Sequence, residues 1–214
     1  MAEMQQTASF SAGYGGSQAE QPVIEEKRGS PRLGLLIRSA KIVFKSGEFL
    51  CVMRDVSESG LRIKVFHTLP SDPPQYIEFA TGDRIMVRTI WQNGDTVGLE
   101  FREPQDVASI VRERGPYRKR SLRFAIEADV VIAVGLGKFA ARVLNFSQFG
   151  ARIQCSQHFA RGQHIKVIGK QVRDLGATIA WRDGDNYGLT LDRTFPVQET
   201  ARLVARLQDP SLVS

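Results

Sequence analysis

The strongest constraint on the fold of this chain is that it is written twice. Asp55-Val-Ser57-Glu-Ser-Gly60 returns as Asn145-Phe-Ser147-Gln-Phe-Gly150, and Trp91-Gln-Asn-Gly-Asp-Thr-Val-Gly98-Leu returns as Trp181-Arg-Asp-Gly-Asp-Asn-Tyr-Gly188-Leu, each at an offset of 90 positions. Two copies within 214 residues predict a tandem pair of like domains rather than a solenoid, which needs at least three units to bury a continuous core. An arginine-rich segment precedes each turn element: Lys27-Arg28-Gly-Ser-Pro-Arg32, and Arg114-Gly-Pro-Tyr-Arg118-Lys119-Arg120-Ser-Leu-Arg123. Pairing Arg32 with Arg123 gives an offset of 91, which places one extra residue between that segment and the turn in the first copy.

Between these markers the apolar residues alternate. Ala40, Ile42 and Phe44 are interleaved with Lys41 and Lys45, Ser46-Gly47-Glu48 turns the chain into Phe49–Met53, and Leu61, Ile63 and Val65 are interleaved with Arg62 and Lys64. A period of two predicts strands with one buried and one wet face. Tyr76–Phe79, Arg84–Trp91 and Val97–Phe101 complete about six short strands, the spacing of a small barrel or sandwich. At Glu103-Pro104 the period lengthens, with Val107, Ile110 and Val111 at helical spacing before Gly115, so a helix from about Pro104 to Glu113 closes the first copy. Phe195-Pro-Val197 opens its counterpart, with Val197, Ala201, Val204 and Leu207 on one stripe. The expected fold is mainly β: two tandem six-stranded antiparallel barrels, each followed by a C-terminal α-helix. The expected division is a tail over 1–25, domains over 26–114 and 115–208, and a short tail over 209–214. Residues 1 to about 24, rich in Gln, Ser, Ala and Gly and without Lys or Arg, have the composition of a disordered tail.

Charge and composition narrow the function classes. A formal charge of +6 favours an anionic partner. Cys51 and Cys155 each sit in a strand-like run, which favours buried free thiols in a reducing compartment. His67, His158 and His164 lack ligand spacing, so no metal site is expected. No apolar run is long enough to cross a bilayer, and the N-terminus has no basic start or apolar stretch, so a cytoplasmic protein without membrane insertion is expected. No nucleophile is paired with a base and no phosphate-cradling glycine loop is present, so a non-enzymatic role is expected, without a cofactor.

The two repeated elements carry the chemistry. A guanidinium is planar, always charged, and offers a fork of donors that matches a phosphate or the O6/N7 edge of guanine. Gly and Pro between Arg28 and Arg32 disfavour a helix there, leaving a loop that a ligand could order. An Asp or Asn can accept from a guanine N–H, a Ser two residues on can reach a phosphate, and a Gly permits positive φ and close approach of a flat ligand to the backbone. One such string is usually a capped turn; the same two elements, in the same order, in both copies make a site.

Arg28-x-x-x-Arg32 followed by Asp55-x-Ser57-x-x-Gly60 resembles the PilZ domain, the bacterial receptor module for the second messenger cyclic di-GMP. The resemblance covers both copies and nearly everything but the tail. It implies that Arg28 and Arg32 wrap the ligand's guanines and phosphates, with Asp55, Ser57 and Gly60 beneath it. In the second copy Asn145, Ser147 and Gly150 match, and Arg123 matches the second arginine, but the first falls on Lys119, which lacks the fork. Arg118 or Arg120 is the alternative, as is the pair Arg114 and Arg118 at a longer distance from the turn. The resemblance implies an effector that binds cyclic di-GMP, changes domain arrangement or partner binding, and regulates motility, exopolysaccharide synthesis or a related behaviour through an unidentified downstream protein. Two other readings compete with it. A nucleic-acid-binding pair of small barrels would need exposed aromatics for base stacking, whereas Tyr76, Phe79 and Trp91 read as core. A ligand-free protein-interaction module would keep the fold alone.

Overall fold

The computed structural model describes residues 33–111, 121–172 and 174–213. The tail, Arg28, Arg32, Arg118, Lys119 and the join at Gly115-Pro116 lie outside them.

The six alternating runs of the first copy are six strands: β1 (Leu33–Phe44), β2 (Glu48–Val56), β3 (Gly60–Lys64), β4 (Pro74–Phe79), β5 (Arg84–Asn93) and β6 (Thr96–Phe101). They pair antiparallel in the order β1-β2-β3-β6-β5-β4 and close through β1 on β4, so the barrel leaves no sheet edge unpaired. A short helix, α1 (Val107–Val111), follows. The second copy repeats the plan with β7 (Phe124–Val134), β8 (Gly137–Phe146), β9 (Gly150–Gln154), β10 (His164–Ile168), β11 (Leu175–Asp183), β12 (Asn186–Leu191) and helix α2 (Val197–Gln208). Its order is the same once renumbered, closed by β7 on β10. The inward halves of the alternating runs fill each barrel: Ala40, Ile42, Phe49, Cys51, Met53 and Ile63 in the first, Ile126, Ile132, Ile153, Ile179 and Tyr187 in the second.

Three expectations need correction. Helix α1 starts at Val107, not in the turn that holds Pro104, because Asp106 caps it by accepting from the Ala108 amide at 2.9 Å. Trp91 is not core: it is 40% exposed, and Trp181 matches it at 39%. A register shift after Thr89, and one after Ile179, turns each indole outward, where it lies on the glycine opposite. A Cβ at Gly98 or Gly188 would run into that indole, which explains the repeated Trp and Gly.

The third correction concerns the last helix, which serves both barrels. Ala201, Leu203 and Val204 of α2 pack into the second barrel, while Ala205 and then Leu212 belong to the core of the first. Leu50, on the outer side of β2, is in turn part of the second barrel's core. Gln208 fastens α2 to β2 twice, its Nε2 donating to the Glu48 carbonyl at 2.7 Å and its Oε1 accepting from the Glu48 amide at 2.8 Å. The residues after the helix, expected as a tail, form a 3-10 turn over Pro210–Leu212, and the Thr68 amide donates to the Leu212 carbonyl at 3.0 Å.

Candidate ligand-binding site

Each turn element is built by its own serine and glycine. The Ser57 amide donates to the Gly60 carbonyl at 2.8 Å and its Oγ to the same carbonyl at 3.2 Å; Ser147 does the same to Gly150 at 2.8 and 3.1 Å. Both serines are buried, at 4% and 3% exposure. The glycines are required by a close approach, not by a left-handed backbone. Positive φ among the described glycines occurs at Gly82, Gly94, Gly135, Gly162 and Gly184, whereas a Cβ on Gly60 or Gly150 would collide with the Leu99 or Leu189 carbonyl of the adjacent strand.

The turn is then fastened to the approach of its helix. The Phe101 amide donates to the Ser59 carbonyl at 2.9 Å and the Gln105 amide to the Glu58 carbonyl at 2.8 Å. In the second copy the Leu191 amide donates to the Phe149 carbonyl at 3.0 Å and the Phe195 amide to the Gln148 carbonyl at 3.2 Å. The same four backbone positions are used in each copy, so the offset of 90 is held by hydrogen bonding as well as by strand length.

Strand pairing lays the candidate polar groups in a row on the outside of each barrel. Asp55, Arg62 and Gly98 are neighbours on β2, β3 and β6, with Trp91 beyond them on β5. Asn145, Arg152, Gly188 and Trp181 form the equivalent row. Asp55 is buried, and its Oδ2 is ion-paired with Arg62 Nη2 at 2.5 Å. The neutral Asn145 makes no such pair; its Oδ1 accepts from Nη1 of the exposed Arg123 at 3.3 Å. Arg62 and Arg152 were not singled out as site residues from the sequence. Their signal was available: each lies two residues after the motif glycine, in Gly60-Leu-Arg62 and Gly150-Ala-Arg152.

A second group missed in the sequence backs the site in the second copy. Lys41 reads as the wet side of β1, yet it is 5% exposed, with Nζ at 3.1 Å from Glu48 Oε2, 3.0 Å from Glu78 Oε1 and 3.2 Å from the Arg123 carbonyl. Glu48 Oε2 also accepts from the Ala125 amide at 2.8 Å, so the chain around Arg123 is held to the first barrel by both charges. Burial alone would push the Glu78 carboxyl up, but hydrogen bonds and attraction from Lys41 and Arg84 outweigh it and hold the carboxyl below its ordinary range.

Among the described residues no three His, Cys, Asp or Glu side chains converge as a metal set, and no helix is long and apolar enough to cross a membrane. Both cysteines are free and buried, and burial pushes the Cys51 thiol up to about 12. A cleft of about 450 Å³ between α2 and the β10–β11 connection, lined by Arg193, Phe195 and Arg202 among others, contains none of the motif residues.

A family model described as the PilZ domain matches this chain twice, over residues 26–113 and 117–208. No curated protein matches it in sequence. Among solved structures it is similar to PlzA of Borreliella burgdorferi in complex with c-di-GMP, at 9% identity over 80% of this chain and 87% of that one, with a TM-score of 0.33. It is also similar to the inhibitor of motility MotI/DgrA of Bacillus subtilis, at 15% identity over 84% and 99% of the two chains, with a TM-score of 0.35. A third is the MrkH–c-di-GMP complex of K. pneumonia, at 9% identity over 79% and 84%, with a TM-score of 0.31.

Proposed function

Because this chain belongs to the PilZ domain family, we propose that it is a non-enzymatic cytoplasmic receptor for cyclic di-GMP with one candidate site on each barrel. Its units are residues 26–114 and 115–208. At site one Arg28 and Arg32 hold guanine and phosphate groups over Asp55, Ser57 and Gly60. At site two Arg123, with Arg118 or Lys119, does so over Asn145, Ser147 and Gly150. The observation that carries this reading is that both motif turns are built by the same bonds and stand in the same row as an arginine, with Arg123 already reaching Asn145. The buried serines act mainly by holding the turn that presents the backbone, so the direct ligand contacts fall on the guanidinium and Asp/Asn groups.

The output is a change in how a downstream protein binds, in control of motility, exopolysaccharide synthesis or a related behaviour. A swing of one barrel against the other would have to break the Lys41 and Gln208 bonds and separate Ala205 and Leu212 from the first barrel. The shared core therefore favours a signal read at the surface around each site, and a reorientation needs ligand contacts stronger than that interface.

Isothermal titration of the full chain with cyclic di-GMP, and separately with GMP, tests the proposal. Saturable binding of cyclic di-GMP with weaker binding of GMP is expected. Equal affinity for the two, or none for cyclic di-GMP, overturns it.

A further inference from the structure

The two sites are alike in shape and unlike in charge. In the first, Arg62 is neutralised by the carboxylate beside it, Asp55, at 2.5 Å. In the second, the paired position holds Asn145, a neutral amide already used as acceptor by Arg123. Arg152 is left half-buried, without a hydrogen bond or ion pair among the described residues, and its Nε is fully shielded from water. A guanidinium cannot lose its proton at any ordinary pH, so withdrawing it from water without an anion is unfavourable. Its other neighbour along the row is Gly188, which has no side chain to offer.

We infer that Arg152 is a ligand-contacting residue of the second site, supplying the fork to an anionic oxygen that Lys119, at the first arginine position, cannot supply. This rests on the cyclic di-GMP reading above, and the anionic groups of that ligand are its phosphates. Arg123 and Arg152 then flank Asn145 as two guanidiniums around one neutral amide, a pairing suited to the two oxygens of a phosphodiester. Site one carries the opposite arrangement: its strand arginine is occupied by Asp55, and charge toward the ligand must come from Arg28 and Arg32. Site two is therefore the more sensitive to salt.

The test uses the full chain in an Arg32→Ala background, which disables site one, titrated with cyclic di-GMP at two salt concentrations. Adding Arg152→Met should weaken binding at least tenfold, flatten the salt dependence of the affinity, and leave the melting temperature unchanged or raised. Arg152→Lys, which keeps the charge and the aliphatic stem, should fall between and covers the case in which Arg152→Met fails to fold. The mirrored change, Arg62→Met in an Arg123→Ala background, should weaken site one by a smaller factor. Unchanged affinity in both Arg152 variants overturns the inference, as does wild-type binding that disappears entirely with Arg32→Ala. Absence of binding by the wild-type chain overturns the cyclic di-GMP reading itself, and the inference with it.

Discussion

Lys41→Met is the most informative single change to the frame that holds site two. Methionine preserves the stem of the side chain and removes its ammonium, leaving Glu48 and Glu78 facing each other with side-chain exposures of 20% and 14%. Removing one partner of a buried ion pair costs about 3–5 kcal/mol, because the remaining charge stays desolvated. Here each carboxylate keeps one partner, Glu78 with Arg84 Nε at 2.7 Å and Glu48 with the Ala125 amide at 2.8 Å. The expected loss is correspondingly smaller, about 2–3 kcal/mol at neutral pH, read by urea unfolding. It should shrink on acidification. Glu78 has a depressed folded-state value, so its contribution is complete above the unfolded carboxylate range and is lost as pH falls through the folded value. Lys41→Met should also loosen the Arg123 carbonyl and weaken cyclic di-GMP at site two more than at site one. A loss below about 0.5 kcal/mol, the usual span of a neutral surface substitution, would show that water solvates this cluster and that it does not tie the barrels.

Four further outcomes are expected. Arg32→Ala, with site two disabled by Arg123→Ala, should lower cyclic di-GMP affinity at least about tenfold, the scale of one charge-assisted hydrogen bond; calorimetry that finds no change removes Arg32 from site one. Gly60→Ala should cost about 1–3 kcal/mol in urea unfolding because the new methyl meets the Leu99 carbonyl, and a neutral result would mean that β3 and β6 part easily. Cys51 should resist iodoacetamide at pH 8 in the native chain and react in urea, since its thiol is pushed up to about 12; native labelling mapped to Cys51 contradicts this. Burial holds His67 below the ordinary histidine value, against a smaller opposing effect of its bond to the Thr68 carbonyl, so its stability contribution is complete above the unfolded value and is lost as pH falls below about 6.5. His67→Gln should flatten that slope, and an identical slope in the variant assigns the acid sensitivity elsewhere.

The strands and their number were legible because alternation is a local property and the repeat supplied each element twice; their order around each barrel was not. Residues whose environment comes from the other copy were not. Lys41 alternates correctly to the outer face of β1, but nothing in the run Ala40-Lys41-Ile42 tells that face it will be covered. Leu50 and Ala205 are likewise apolar residues whose partners lie in the opposite barrel. Trp91 was misread for a different reason: its size suggests core, and the register shift that turns it outward leaves no mark except the glycine seven positions on. The motif acceptors and glycines stood out by spelling, while Arg62 and Arg152 were absorbed into the alternation of their strands. Their importance depends on the side chain opposite, Asp55 in one copy and Asn145 in the other.

A duplicated domain ordinarily gives one copy licence to drift while the other keeps the original task. Helix α2 withdraws that licence here. With Ala205 and Leu212 completing the first barrel and Leu50 completing the second, each copy has become part of the other's interior. A substitution along this seam acts on both barrels at once, so the two are coupled in stability. Divergence is left to the surfaces facing away from the seam, and to positions such as 55 and 145, where the two copies already differ in charge.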